Sequence, residues 1–139
     1  MAVESVSNNY QMKSFDIQAA LKSLGKLSVN EETTSDQASA AMKILGSFNQ
    51  CMVGMASVAG LTPWERHQDD ELRQIMEGEV DVTILAKDEV RKITLYKDSI
   101  FIVPRGLWHN QSSTQGVKLI LITSEQGNET SEKYPHINR

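Results

Sequence analysis

From Phe48 onward the sequence consists of short β-rich segments separated by turn residues, and this pattern restricts the possible fold more than any other feature. Val80, Val82 and Ile84 alternate with polar residues, as in a strand that is buried on one face. The segments recur about every eight to twelve residues, which is typical of an antiparallel sandwich or barrel. The sequence therefore predicts an all-β domain whose strands cover residues 52–58, 72–76, 80–85, 90–96, 100–103 and 117–122.

The N-terminal third follows a different pattern. Asp16 can cap a helix over residues 17–24, and Gly25 can end it. Residues 26–36 are polar and predict a connection, whereas residues 36–45 fit either a helix or a strand that extends the sheet. We therefore predict a short helical N-terminal extension over residues 1–47, a β-barrel over residues 48–125 and a polar C-terminal tail over residues 126–139.

Composition and charge exclude several classes of protein. A chain of 139 residues with 40% hydrophobic and 23% charged residues is an ordinary globular domain, and it has no apolar run near the roughly 18 residues of a membrane span. The formal net charge of −4, without a basic run, argues against nucleic-acid binding. The single cysteine, Cys51, and an N-terminus without a signal-peptide pattern predict a cytoplasmic protein that does not contact membranes.

Four residues form a candidate metal site. Glu65 and His67 are two positions apart, so on one strand their side chains share a face, and Glu71 follows after a short polar turn. His109 lies just past a Pro-x-Gly turn. If they converge, two imidazoles and two carboxylates provide mixed nitrogen and oxygen ligands for a divalent metal.

The spacing of the residues around His67 is specific. Gly60 precedes His67, three residues separate His67 from Glu71, and six residues separate Glu71 from Gly78. The stretch around His109 has its own regular spacing. Five residues follow Asp98, then come Pro104-Arg-Gly106, two more residues and His109.

Together these stretches resemble the two motifs of the cupin superfamily, over roughly residues 50–123, although no subfamily can be named. The chain departs from the family pattern at three positions: Glu65 replaces the first histidine of a His-x-His pair, Asp98 replaces a glycine and Ser113 replaces an asparagine. The resemblance implies an antiparallel jelly-roll β-barrel that brings the two stretches face to face.

The resemblance also implies a function. His67, Glu71 and His109 would bind iron, manganese, nickel or zinc, with Glu65 as a fourth ligand or, if it does not coordinate, as a general base. The expected activity is oxygenase- or isomerase-type chemistry on a small organic molecule. The alternative is a non-catalytic cupin that binds or senses a small molecule, which the replacement at Glu65 favours. Small cupins commonly form homodimers, so we expect one here.

Three further residues are candidates for the substrate pocket. Arg73 shares the strand face of Glu71, and Gln111 and Ser113 share that of His109. Arg73 either relieves the repulsion between two buried carboxylates or binds an anionic ligand. The sequence leaves both roles open.

Overall fold

The computed structural model describes residues 13–135, which form two short helices and nine strands. No helix in this part of the chain is long and apolar enough to cross a membrane. Residues 1–12 and 136–139, which include His136 and the start of the predicted extension, lie outside the described residues. The elements are α1 (Ile17–Ser23), β1 (Lys26–Val29), α2 (Ser35–Ala41), β2 (Lys43–Phe48), β3 (Cys51–Leu61), β4 (Trp64–Arg66), β5 (Glu71–Leu85), β6 (Val90–Tyr96), β7 (Ile100–Val103), β8 (Trp108–Ser124) and β9 (Glu129–Ser131).

Two long strands, β5 and β8, organise the sheet. They pair antiparallel along most of their lengths, with register shifts between Ile75 and Glu77 and between Gly78 and Asp81. β7 pairs with the first part of β5 and β6 with its last part, while β3 and β4 pair with β8. The strands predicted at residues 72–76 and 80–85 are therefore one strand, because Gly78 forms a bend (φ 79°) where we expected a turn.

The all-β prediction is confirmed, with two differences in detail. Among the described strands β6 and β7 each pair with β5 alone, so the sheet does not close into a ring. β1 pairs with β3 in parallel, whereas we expected an entirely antiparallel arrangement. The parallel pair arises because α2 separates β1 from β2, and β2 then runs antiparallel along the same edge of β3.

The N-terminal region is part of this sheet. Asp16 caps α1 as predicted, with its Oδ1 accepting a hydrogen bond from the Ala19 amide at 2.9 Å, and Leu24 is the C-cap. Residues 36–45 adopt both of the alternatives that the sequence left open, first the helix α2 and then the strand β2. Within the predicted C-terminal tail, β9 pairs with β4. The proposed boundaries at residues 47 and 125 remain predictions.

Two apolar clusters hold these elements together. Alternate residues of β5 and β8 are buried, as the period of a strand requires, and they meet in one core with Leu95 of β6. On the opposite face of the sheet, Ala20 and Leu21 of α1 pack against Met55. The main core consists of Ile75, Val80, Val82, Ile84, Leu95, Val117, Leu119 and Leu121.

Candidate metal centre

Three neighbouring strands place the four candidate ligands. Glu65 lies in β4 and is the cross-strand partner of His109 in β8. His67 follows β4 directly, and Glu71 is the first residue of β5. Because β8 pairs with both β4 and β5, residues that are distant in sequence come together at one end of the sheet.

Hydrogen bonds between two turns fix this meeting point. The Gly106 amide donates to the carbonyl oxygen of His67 at 2.8 Å. The Arg105 amide donates to Oδ1 of Asp70 at 2.9 Å. The Pro-x-Gly turn is thus attached to the loop between β4 and β5, and two residues separate that turn from His109, the second residue of β8.

The donor atoms of Glu65, His67, Glu71 and His109 all lie within 4.8 Å of one another, an arrangement that can hold a metal ion. Nε2 of His67 is 3.0 Å from Oε2 of Glu71, and Nε2 of His109 is 3.6 Å from Oε1 of Glu65. His109, Glu71 and His67 are buried, whereas the Glu65 side chain is 33% exposed. Glu65 therefore lies on the open side of the group.

The hydrogen bonds of the two imidazoles orient Nε2 of each ring toward this centre. Nδ1 of His109 lies 3.0 Å from the carbonyl oxygen of Leu107, which can only accept, so Nδ1 carries the proton. Nδ1 of His67 lies 2.7 Å from Oδ1 of Asn128, whose amide nitrogen in turn donates to the Ser124 carbonyl oxygen. Both rings then have an unprotonated Nε2 when neutral, which is the form that binds metals.

In the neutral rings both buried Nε2 atoms lack a hydrogen-bond partner within the described residues, because they face carboxylates, which like them can only accept. A buried polar atom without a partner is costly, and native structures seldom contain one unless it has a role. Here two such atoms face two carboxylates across a small space. The donor set of two imidazole nitrogens and two carboxylates fits a divalent transition metal.

Arg73 offsets part of the negative charge. Its Nε donates to Oε1 of Glu71 at 2.5 Å, Nη1 donates to Oε1 of Gln111, and Nη2 is 3.6 Å from Oε1 of Glu65. The guanidinium is buried and directed at side chains of the protein itself. Of the two roles left open by the sequence, this geometry favours relief of carboxylate repulsion over binding of an anionic ligand.

The pKa values follow from these contacts. Burial raises the pKa of Glu71, but the positive charge of Arg73 and the hydrogen bond that the protonated ring of His67 donates outweigh it and hold the pKa well below its usual range. Burial lowers the pKa of His67, but pairing with Glu71 and the charge of Glu65 raise it to about 9. Two carboxylates and one guanidinium leave one negative charge, which a proton on His67 or a bound cation neutralises.

A cavity of about 170 Å³ adjoins the centre. Its wall includes Glu65, His67, Glu71, Arg73 and Gln111 on one side. The other side is formed by β1, α2 and the inward face of β3. The N-terminal region thus forms the wall of the cavity opposite Glu65, His67 and Glu71.

The structure does not bring Ser113 to this cavity. Its Oγ donates to the carbonyl oxygen of Glu79 at 2.7 Å and accepts from the Gly116 amide at 3.1 Å, next to the bend that Gly116 forms in β8 with its positive φ of 106°. Ser113 therefore supports the backbone of the bend, away from the centre, although it shares the strand face of His109.

Two residues that support the centre were missed by the sequence reasoning. Oγ1 of Thr123 donates to Oε2 of Glu71 at 2.7 Å, and Asn128 holds His67. Thr123 continues the inward row of Leu119 and Leu121, so strand alternation gave a signal for it. For Asn128 there was none, because it reaches His67 from a loop 61 positions along the chain.

No protein-family model and no curated protein matches the sequence, but solved structures do. The chain is similar to a cupin-2 domain protein from Shewanella frigidimarina (20% identity, TM-score 0.52, covering 68% of this chain and 96% of that one). It is also similar to hydroquinone 1,2-dioxygenase from Sphingomonas with 4-hydroxybenzoate bound (14% identity, TM-score 0.55, covering 85% of this chain and 82% of that one). A third similar structure is oxalate oxidase in complex with glycolate (20% identity, TM-score 0.51, covering 59% of this chain and 46% of that one). At these identities the likeness establishes the fold, and the chain has a cupin fold.

Proposed function

We propose that this cupin-fold chain binds one divalent transition metal between Glu65, His67, Glu71 and His109 and uses it to act on a small organic molecule. The observation that carries this proposal is the pair of buried Nε2 atoms, which in the neutral rings have no hydrogen-bond partner within the described residues. Each ring is already oriented by a hydrogen bond at Nδ1, which is how proteins prepare histidines for a metal.

The residues of the centre have distinct roles. His67, His109 and Glu71 form a two-histidine, one-carboxylate set, while Arg73 keeps Glu71 ionised and fixed. A divalent ion in this set would supply Lewis-acid polarisation of a substrate oxygen. Glu65, the most exposed of the four, is a fourth ligand or a general base that takes a proton from the substrate.

Oxygenase- or isomerase-type chemistry is the reaction class that we propose. Two of the similar structures are named a dioxygenase and an oxalate oxidase, and both names describe oxidation of small organic molecules. The donor set of this chain is compatible with iron, manganese, nickel or zinc. The buried position of His67 and His109 favours a reaction carried out away from bulk water.

Metal content tests the proposal. Wild-type protein purified without chelator should contain close to one equivalent of a transition metal, whereas the His67→Ala/His109→Ala double variant should contain almost none. Glu71→Gln should also lose metal. Glu77→Gln is the matched control, because Glu77 lies exposed on the same strand and should leave the content unchanged. Equal, near-zero content in wild type and the double variant would overturn the proposal.

A second candidate is a cupin that binds small molecules without catalysis. It is favoured by the ion pairs of the centre, because the charges of Glu65, Glu71 and Arg73 are balanced without a metal cation once His67 is protonated. Glu65→His tests it, because this change restores an imidazole to the set. If wild type binds no metal and Glu65→His binds one, the binding module is the better description.

A further inference from the structure

The cavity beside the metal centre has one polar end and an apolar body. The polar end consists of Glu65, His67, Glu71, Arg73 and Gln111. The rest of the wall combines hydroxyl side chains with an apolar surface to which four elements contribute. It includes Leu27 and Val29 of β1, Ala41 at the end of α2, Met42, Ala56 of β3 and Leu119 of β8.

Cations are scarce in this wall. Among the described residues that line the cavity, Arg73 is the one lysine or arginine, and its guanidinium already contacts Glu71, Gln111 and Glu65. A ligand with two anionic groups would therefore have to bury the second one against apolar side chains. Burial of an unpaired charge is strongly unfavourable, so the cavity selects against such ligands.

Its size sets a second limit. The volume of about 170 Å³ is close to that of a cavity of roughly 150 Å³, which accommodates one benzene molecule. A molecule with one six-membered ring and a single small substituent fills this space.

We propose that the substrate is a compact amphiphile with one oxygen-bearing head, which faces Glu65, His67, Glu71 and His109, and an apolar body of about one ring. This inference rests on the proposed function and specifies the substrate class of the same site. The head is a neutral hydroxyl, as in a phenol, or a single carboxylate, as in a benzoate. Ligands with a second anionic group in the body are excluded, because no free lysine or arginine among the described residues lines that part of the cavity.

The test measures binding of three probes to the full-length protein loaded with Zn²⁺, by isothermal titration calorimetry. Phenol and benzoate represent the two kinds of head, and adipate represents a ligand with two charges, because its carboxylates are too far apart for both to bind the metal readily. We expect at least one ring compound to bind about tenfold or more tightly than adipate. Whichever ring compound binds more tightly identifies the head. Adipate binding as tightly as either ring compound would overturn the inference.

Two variants of α2 locate the binding site. Ala41→Phe places a ring in the cavity and should weaken binding of the ring compounds about tenfold. Ala40→Phe is the matched control, since Ala40 is exposed on the same helix, does not line the cavity and should leave the affinity unchanged. If Ala41→Phe does not fold, Ala38→Phe replaces it, because Ala38 lines the cavity from an exposed position. Equal effects of the cavity and control variants would contradict the assignment.

Failure of this inference can be distinguished from failure of the proposed function. Zn²⁺ binding is measured first and by itself, and its absence contradicts the metal site alone. The apolar body is still present in metal-free protein with chelator, so ring compounds should bind there too, with lower affinity. If the protein binds Zn²⁺ but no ring compound in either form, the substrate class is wrong and the metal site stands.

Discussion

At the level of single residues, the proton on His67 decides between two states of the centre. With the proton, the ring neutralises Glu71, and the centre is stable without a cation. Without the proton, the lone pair of Nε2 is free to bind a metal. Metal and proton therefore compete for the same nitrogen.

This competition gives the metal-free protein a characteristic dependence of stability on pH. The pKa of His67 is about 9 in the folded state, against an ordinary value of 6.5. The stabilisation that the protonated ring gives to the folded state is therefore complete below pH 6.5 and is lost as the pH rises through about 9. We expect the free energy of unfolding to fall by roughly 3 kcal/mol over this range.

Urea unfolding with chelator between these pH values measures the effect. In His67→Gln the side chain does not titrate, so the free energy of unfolding should depend much less on pH in this variant. A wild-type slope equal to that of the variant would disprove the assignment to His67.

Asn128 should influence metal affinity although it does not contact the metal position. Its Oδ1 accepts the Nδ1 proton of His67, and loss of such a partner typically weakens metal binding about 10- to 100-fold. We expect this weakening in Asn128→Ala, measured by competition with a chromogenic chelator. Ser131→Ala is the control, since its hydroxyl bonds only to the carbonyl oxygen of Lys133. Equal affinities of Asn128→Ala and wild type would show that His67 is held by other contacts.

The sequence predicted those residues of the centre that belong to a motif with regular spacing along the chain. Asp98, which stands in place of a motif glycine, has a positive φ of 71°, so the resemblance identified a position with special backbone geometry despite the substitution. Asn128 acts through a contact across 61 positions that no local pattern reports, whereas strand alternation places Thr123 on the inward face without identifying Glu71, 52 positions away, as its partner.

At the level of elements, short segments with strong β-formers were predicted well. β6 and β7 have the predicted bounds, because turn residues flank each of them closely. The first half of β8 was missed, because the sequence from Trp108 to Gly116 is polar and contains few β-formers. Pairing with β5 on one side and with β3 and β4 on the other makes it a strand, and that information is not local.

The bend of β5 at Gly78 should be sensitive to substitution. Its φ of 79° is in the left-handed region, and a Cβ there would overlap the carbonyl oxygen of Gly116. We expect Gly78→Ala to lower the free energy of unfolding by about 1–3 kcal/mol, measured by urea denaturation. Gly46→Ala is the control, because an added Cβ meets no atom within 4 Å there. Equal stability of the two variants would show that the bend adapts without strain.

At the level of the whole molecule, the homodimer remains a prediction from the resemblance. It can be measured by analytical ultracentrifugation of the full chain, whose mass is 15.5 kDa. We expect a particle of twice this mass at micromolar concentration. Sedimentation as a single chain over the whole concentration range would contradict the prediction.

The metal centre joins three strands, so metal binding should stabilise the entire fold. Glu65, Glu71 and His109 belong to β4, β5 and β8, and a ligand that binds only the folded state adds stability by mass action. At a free metal concentration of about 100 times Kd, the gain is about 2.7 kcal/mol.

Thermal unfolding with and without Zn²⁺ measures this gain, and chelator should reverse it. The His67→Ala/His109→Ala variant should show no gain, whereas Glu77→Gln, exposed on β5, should behave as wild type. Mg²⁺ should stabilise wild type less than Zn²⁺, because imidazole nitrogens favour transition metals. An equal gain in wild type and the double variant would mean that the metal binds elsewhere on the chain, and the coupling of β4, β5 and β8 through these four side chains would then be wrong.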